Sequence, residues 1–201
     1  MKIRTKLVIF AFVLALLLML FSCSKNEGII SYGEDGSYTG FSDIPSDYTP
    51  ADATDDGCLV IDLTQGTNEY GATINEKYDT AGYDNWQRFL KKSESQEDTF
   101  LRVAFFIDGV GSYHDLYYCD GNYTIFALNE YGVSDGSTYK YLRRLDGQTG
   151  PASDRQEDCF YVLTDSMDLT YNDVSWSFFS SNIDSVTDIP FVWLGFMIFF
   201  E

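Results

Sequence analysis

Runs of aromatic and β-branched residues, separated by Asp-Gly dipeptides, fill the second half of the sequence and limit the folds open to it. Such runs are typical of β-strands, and Asp-Gly between two of them is typical of a tight hairpin turn. The runs lie at residues 100–108, 113–119, 123–128, 139–145, 159–163 and 191–200. The dipeptides lie at residues 108–109, 120–121, 135–136 and 146–147. We therefore expect an antiparallel meander of strands joined by short turns.

An amphipathic helix is predicted ahead of these runs, at residues 83–92. Its apolar face consists of Tyr83, Trp86, Phe89 and Leu90. Polar residues lie opposite, and lysines at the C-terminal end favour the helix dipole. A further strand is expected at residues 58–63. One helix on one face of an antiparallel sheet of about six or seven strands is an α+β fold in two layers, and we expect Trp86 and Phe89 to pack on the sheet formed by residues 100–128.

The last apolar run, residues 191–200, would present apolar side chains on both faces of an extended strand. It is too short for a membrane helix, which needs about 20 apolar residues. An edge strand of this composition would be an aggregation hazard. We therefore expect a central strand with at least one face under the helix.

The N-terminus has the layout of an export signal. Three basic residues precede an unbroken run of 15 apolar residues, 7–21, which is short for a permanent membrane span. Residues 20–23 (LFSC) resemble the bacterial lipobox, in which a signal peptidase cuts before a lipid-modified cysteine. The resemblance implies that Cys23 carries a diacylglyceryl group, whose two acyl chains suffice for stable anchoring. The alternatives are an ordinary secretory signal or an uncleaved anchor with Cys23 merely nearby.

The chain is predicted to consist of three segments. Residues 1–22 form the lipoprotein signal peptide, and residues 23–46, rich in Gly, Ser and Asp, form a flexible tether. Thr49 followed by Pro50 is typical of a helix start, so the folded domain is expected to begin near residue 47. Residues 47–201 are then a single α+β domain, which the lipid would hold on the outer face of the cell membrane.

The chain is strongly acidic, with a formal net charge of −18 at pH 7. Removal of residues 1–22 would take away three basic residues and no acidic ones, which leaves 10 basic and 31 acidic residues and a charge of −21. Because such a chain repels phosphate backbones and anionic headgroups, nucleic acid is not an expected partner, and membrane contact is expected through the N-terminal lipid only. No cofactor is predicted, although the Asp-rich loops leave calcium-assisted surface binding open.

Besides Cys23, the chain contains Cys58, Cys119 and Cys159. Each lies in or beside an apolar run, where a thiol behaves as a small hydrophobe, so three buried thiols are expected. One disulfide with one remaining thiol is the alternative, because export permits oxidation. His114 is the only histidine, which excludes a multi-histidine metal site within one chain, and it is expected to be an exposed hairpin residue.

Four stretches carry a resemblance to a known family: residues 47–62 (DYTPADATDDGCLVID), 84–92 (DNWQRFLKK), 160–178 (FYVLTDSMDLTYNDVSWSF) and 189–200 (IPFVWLGFMIFF). Together they resemble a family of bacterial exported lipoprotein domains of unknown function, found mainly in Gram-positive bacteria. The resemblance implies export and a compact α+β domain. It implies no catalytic residues, because the family has none that match this sequence.

No catalytic constellation is recognisable, so a surface-anchored binding or protein-interaction module is the first hypothesis for function. Its candidate interaction surface consists of Tyr113, Tyr117, Tyr118 and Tyr123. Tyrosine combines apolar area with a polar tip; the alternative is that half of these rings face the core. The ligand would be an extracellular protein or a glycan. The alternative function is a hydrolase of the cell envelope or of polysaccharides that uses a carboxylate pair.

Overall fold

Tight hairpins organise the larger of two β-sheets in the computed structural model, which describes residues 30–134, 136–179 and 189–199. Asp108 and Gly109 form one turn, with φ values of 50° and 82°, and Asp120 and Gly121 form another, with 50° and 78°. Two-residue hairpin turns require such positive φ values, so both predicted turns are confirmed. Asp135, in a third predicted turn, lies outside the described residues.

The described residues form ten strands, three α-helices and a 3₁₀ helix. The strands are β1 (Leu59–Thr67), β2 (Thr73–Ala81), β3 (Thr99–Ile107), β4 (Val110–Cys119), β5 (Asn122–Asn129), β6 (Gly132–Val133), β7 (Ser137–Tyr139), β8 (Tyr141–Thr149), β9 (Gln156–Thr164) and β10 (Phe191–Trp193). The helices are α1 (Pro50–Asp55), α2 (Tyr83–Glu94), α3 (Tyr171–Phe179) and the 3₁₀ helix Gly195–Phe199. Asp146-Gly147, predicted as a turn, instead lies inside β8, where a side chain on Gly147 would collide with the ring of Tyr171.

The larger sheet has seven strands in the order β2-β1-β3-β4-β5-β6, and β7 also pairs with β5. The strands β1 and β3 are parallel, whereas the other neighbours are antiparallel. Strand β2 runs antiparallel to β1 and ends beside the first residues of β1. After α2, β3 begins at this same end of the sheet, so it runs parallel to β1. The predicted meander is therefore confirmed for β3, β4 and β5 but is wrong for β1.

A second, three-stranded antiparallel sheet, in the order β10-β9-β8, replaces the predicted continuation of the meander. One face of the larger sheet, including Leu101 and Leu116, packs against α2 and this smaller sheet. Residues 30–48 and α1 cover the other face, and α3 covers the outer side of the smaller sheet. The α+β class is confirmed, but the single sheet in two layers is wrong.

Helix α2 lies between the two sheets, as its apolar face predicts. Trp86 and Phe89 are 0% and 1% exposed, and both belong to the core cluster that includes Leu101 and Leu116 of the larger sheet. The ring of Trp86 also meets that of Tyr161 edge to face, with 5.4 Å between centroids. The expected packing of this helix on the sheet is confirmed, and its contact with the smaller sheet adds to it.

The folded domain begins earlier in the chain than the sequence predicts. Residues 30–46 belong to the predicted tether, yet Tyr38 and Phe41 are only 8% and 6% exposed. The Tyr38 ring stacks on Phe126 of β5, with 3.8 Å between centroids. Aromatic residues therefore attach this Gly- and Ser-rich segment to the sheet, which corrects the domain boundary at residue 47. Cys23 and the predicted signal peptide, residues 1–22, lie outside the described residues.

A capping box starts α1, as the sequence predicts. The Oγ1 atom of Thr49 accepts the backbone N–H of Asp52 at 3.2 Å, and the Asp52 carboxylate accepts the backbone N–H of Thr49 at 2.9 Å. The reciprocal bonds satisfy two donors that a helix start otherwise leaves unpaired.

The C-terminal apolar run is not the predicted central strand. Only Phe191–Trp193 is extended, as the edge strand β10, and the 3₁₀ helix Gly195–Phe199 follows. Leu194, Phe196 and Met197 are 1%, 7% and 2% exposed. The turn into the 3₁₀ helix brings these closely spaced apolar side chains into the core, which a straight strand with two opposite faces could not do.

Candidate functional site

The four tyrosines of the predicted interaction surface are buried, with exposures of 7%, 6%, 6% and 8% in chain order. Tyr113 and Tyr117 lie in the core cluster beneath residues 30–48, whereas Tyr118 and Tyr123 lie in the cluster beneath α2. Because both faces of β4 and β5 are covered, these rings do not form an exposed surface. The alternative that tyrosines face the core holds for all four.

A buried ion pair lies among these rings, on the face covered by residues 30–48. Asp115 is 0% exposed, and its Oδ1 and Oδ2 accept hydrogen bonds from Nε and Nη2 of Arg102 at 2.7 and 2.8 Å. The Tyr38 hydroxyl also donates to Asp115 and lies 2.8 Å from the Tyr117 hydroxyl. The carboxylate thus has donors on both oxygens, as a charge removed from water requires.

Arg102 connects this ion pair to the N-terminal segment. Its guanidinium donates to the backbone carbonyl of Gly40 and, at 3.0 Å, to the carboxylate of Asp43. Burial alone would lower the pKa of Arg102, but the hydrogen bonds and charge of Asp115 outweigh it and raise the pKa. Burial, with the hydrogen bond to Asp115, raises the pKa of Tyr38 well above its usual value. Arg102 therefore stays charged and Tyr38 stays protonated at neutral pH, and the network holds residues 38–43 on the sheet.

A cleft at one end of the smaller sheet brings charged and aromatic side chains together. We call it the β8–β9 cleft; it has a volume of about 350 Å³. Its lining includes Arg144, Asp146, Glu157, Tyr161 and Trp193. Pockets that bind small molecules commonly combine apolar walls with a few polar groups, so this cleft is our candidate functional site.

Strand register explains how the charged residues of the cleft meet. Asp146 lies directly opposite Cys159, and Glu157 lies two residues before Cys159 on β9. Residues two apart on a strand point to the same face, so Asp146 and Glu157 are diagonal neighbours across the strand pair. Arg144 donates from Nε to Asp146 at 2.7 Å, and its guanidinium carbon lies 5.8 Å from the Tyr161 ring centroid.

His114 lies on the covered face of β4 and is not the exposed hairpin residue that the sequence suggests. It lines an apolar cavity of about 360 Å³ together with Phe105, Ile125, Leu194 and Phe196. Its Nδ1 atom is buried and has no hydrogen-bond partner among the described residues. Burial lowers the pKa of His114, partly opposed by the charge of Asp115. The C-terminal residues cover this face, which the sequence reasoning could not foresee.

The three cysteines among the described residues are thiols and form no disulfide. Cys58 is buried, whereas Cys119 and Cys159 are half-buried, so full burial is confirmed only for Cys58. Burial raises the pKa of both Cys58 and Cys119.

No group of three or more His, Cys, Asp or Glu residues that could hold a metal ion occurs in residues 30–134, 136–179 and 189–199. Calcium-assisted binding stays a prediction, and titration of the protein with calcium in a calorimeter tests it. Of the helices in these same ranges, none has both the length and the apolar character needed to cross a membrane.

Comparison with known proteins gives no match, so the functional inference depends on the geometry of the structure. No protein-family model, no curated protein and no solved structure matches this chain.

Proposed function

We propose that this protein is a lipid-anchored binding module of the bacterial cell surface, and that the β8–β9 cleft binds a neutral glycan. The apolar run at residues 7–21 followed by Cys23 supports the anchor. The resemblance to exported lipoprotein domains supports the same location. Substitution Cys23→Ala should release the protein from the membrane fraction or block its processing; unchanged partitioning with unchanged processing would contradict the anchor.

The observation that carries the glycan proposal is the lining of the cleft. Trp193 and Ile198 offer apolar surface, which suits the C–H face of a sugar ring. Arg144, Asp146 and Glu157 offer charged donors and acceptors, which suit sugar hydroxyls because charge-assisted hydrogen bonds are the stronger kind.

The charges of the cleft favour a neutral ligand over an acidic one. One arginine, Arg144, stands beside Asp146, Glu157 and Asp158 in the lining. The carboxylates therefore outnumber the guanidinium, and the whole chain carries −18. Sugars with carboxylate or sulfate groups would meet repulsion of the same sign.

Binding of short neutral oligosaccharides to the full chain in detergent, measured by calorimetry, tests the proposal. The double variant Arg144→Gln/Glu157→Gln should weaken binding about tenfold or more, because each lost hydrogen bond to a charged group costs about 1.5–3 kcal/mol. The double variant Lys140→Gln/Glu130→Gln is the matched control, since it also leaves the net charge unchanged and alters exposed residues outside the cleft lining. Binding of acidic oligosaccharides alone, or equal loss in both double variants, would contradict the proposal.

A hydrolase that uses a carboxylate pair is the second candidate, and the observation that favours it is the diagonal placement of Asp146 and Glu157. Both side chains point to the same face of the strand pair, and inverting glycosidases use two carboxyl groups that are about 6.5–9.5 Å apart. Release of reducing ends from a bound oligosaccharide, lost in Glu157→Gln, would favour this candidate. Binding without release favours the binding module.

A further inference from the structure

A second cleft, lined in part by α2, has more basic than acidic residues among the described residues of its lining. We call it the α2–β3 cleft; it has a volume of about 240 Å³ and lies where α2 meets the start of β3 and the end of α1. Its lining includes Asn85, Arg88 and Lys92 of α2, and Phe100 and Arg102 of β3. Its size suits a molecule smaller than most drug-sized ligands, whose pockets measure about 300–1,000 Å³.

Basic residues are concentrated in this cleft although the protein is acidic. The described part of the chain contains nine lysines and arginines, and Arg88, Lys92 and Arg102 all line this one cleft. Asp56 is the one carboxylate among the described residues of its lining, and that group accepts a hydrogen bond from the Tyr48 hydroxyl at 2.7 Å. Asp115 and Asp43 already balance the charge of Arg102, so in this chain of net charge −18 the positive charge available to an anion comes from α2, chiefly from Arg88.

Helix α2 carries two of these charges on one face. Arg88 and Lys92 are four residues apart, which places them side by side on the helix surface. Arg88 is exposed, and its guanidinium makes no ion pair with the described residues. It can therefore bind an anion between α2 and β3.

Arg102 supplies a fixed guanidinium on the opposite wall, and Asp115 and Asp43 already balance its charge. Its guanidinium is oriented by Asp115, Asp43 and the Gly40 carbonyl, so little side-chain freedom is lost when a ligand binds. The guanidinium carbon lies 5.9 Å from the Phe100 ring centroid. Phe89 and Leu101 also line the cleft, so charged walls surround an apolar floor.

We propose that the α2–β3 cleft binds a small organic oxyanion, a carboxylate or a phosphate attached to an apolar group. The Arg88 guanidinium and the Asn85 amide hold the oxygens, Lys92 adds positive charge, and the Phe100 ring contacts the apolar group. Planar guanidinium groups match carboxylate and phosphate geometry. This site is separate from the β8–β9 cleft and does not depend on the function proposed for it.

Titration of the full chain in detergent with four anions and one cation, followed by backbone amide chemical shifts, tests the proposal. The probes are benzoate, phenyl phosphate, acetate, inorganic phosphate and benzylamine. Benzoate or phenyl phosphate should shift amides at residues 85–92 and 99–102 at millimolar concentration, and whichever binds tighter identifies the preferred oxyanion. Acetate and inorganic phosphate should bind at least tenfold more weakly, because they lack the apolar group.

The variant Arg88→Gln should weaken binding at least tenfold. Lys91→Gln is the matched control, because it removes the same charge from an exposed position of the same helix outside the cleft lining and should leave affinity unchanged. Both substitutions are at exposed positions, and equal melting temperatures would verify folding. Equal effects of the two variants, equal binding of benzylamine and benzoate, equal binding of acetate and benzoate, or no shifts at these residues would each overturn the proposal.

Discussion

At the scale of single residues, the buried carboxylate of Asp115 is the most consequential polar group of the described core. It is fully buried, and its partner Arg102 has a side chain that is only 12% exposed. Removing one member of a buried pair leaves the other charge uncompensated, which typically costs about 3–5 kcal/mol. We therefore expect Asp115→Ala to lower the free energy of unfolding by roughly that amount in urea denaturation.

Asp43→Ala is the control for this prediction, because Asp43 pairs with the same guanidinium. Its side chain is 72% exposed, and exposed ion pairs contribute about 0–1 kcal/mol. A similar loss in both variants would show that Arg102 does not depend on the buried carboxylate.

At the scale of elements, α2 joins the two sheets and also forms one wall of the α2–β3 cleft. Trp86 lies between the sheets and contacts Tyr161 of the smaller one. Truncation of a buried tryptophan to alanine typically costs about 3–5 kcal/mol. We expect a loss of this size for Trp86→Ala in chemical denaturation.

Trp176→Ala is the matched comparison for that substitution. Trp176 lies on α3 and is 57% exposed, so its truncation should cost below about 1 kcal/mol. A loss below about 1 kcal/mol for Trp86→Ala as well would mean that α2 does not hold the sheets together.

At the scale of the whole molecule, stability near neutral pH should depend on one histidine. His114 is the only histidine, and burial lowers its pKa from the ordinary value of 6.5. As the pH falls below 6.5, the unfolded chain takes up a proton that the folded protein does not, so the free energy of unfolding falls. The ordinary pKa of a carboxylate lies about two units below that of histidine, so carboxylates contribute little to the change in stability in this pH range.

Urea denaturation at about pH 7 and about pH 5.5 measures this effect. The native protein should lose stability between the two values, and His114→Gln should lose much less, because glutamine does not titrate. An equal loss in the variant would assign the pH dependence to other groups.

Particular residues show which parts of the fold and of the candidate sites follow from sequence. The Asp108-Gly109 turn, the Thr49 cap and the apolar face of α2 are all confirmed, and each depends on residues close together in the chain. Asp146 and Glu157 form a pair only because β8 and β9 are in a particular register. Arg88 and Arg102 line one cleft only because α2 packs beside β3. Neither the register of β8 and β9 nor the packing of α2 beside β3 can be predicted from local sequence patterns.

Local sequence suffices to predict the local elements: turns that require positive φ, a helix start with its cap, and a helix with one apolar face. Three features depend on long-range packing: β1 is parallel to β3, the C-terminal run ends in a 3₁₀ helix, and residues 30–46 cover the sheet. The physical reason is the sequence separation over which each kind of interaction acts. Backbone preference and periodicity act over a few residues, whereas the contact between Tyr38 and Asp115 joins groups 77 positions apart and exists only once the sheet between them has formed.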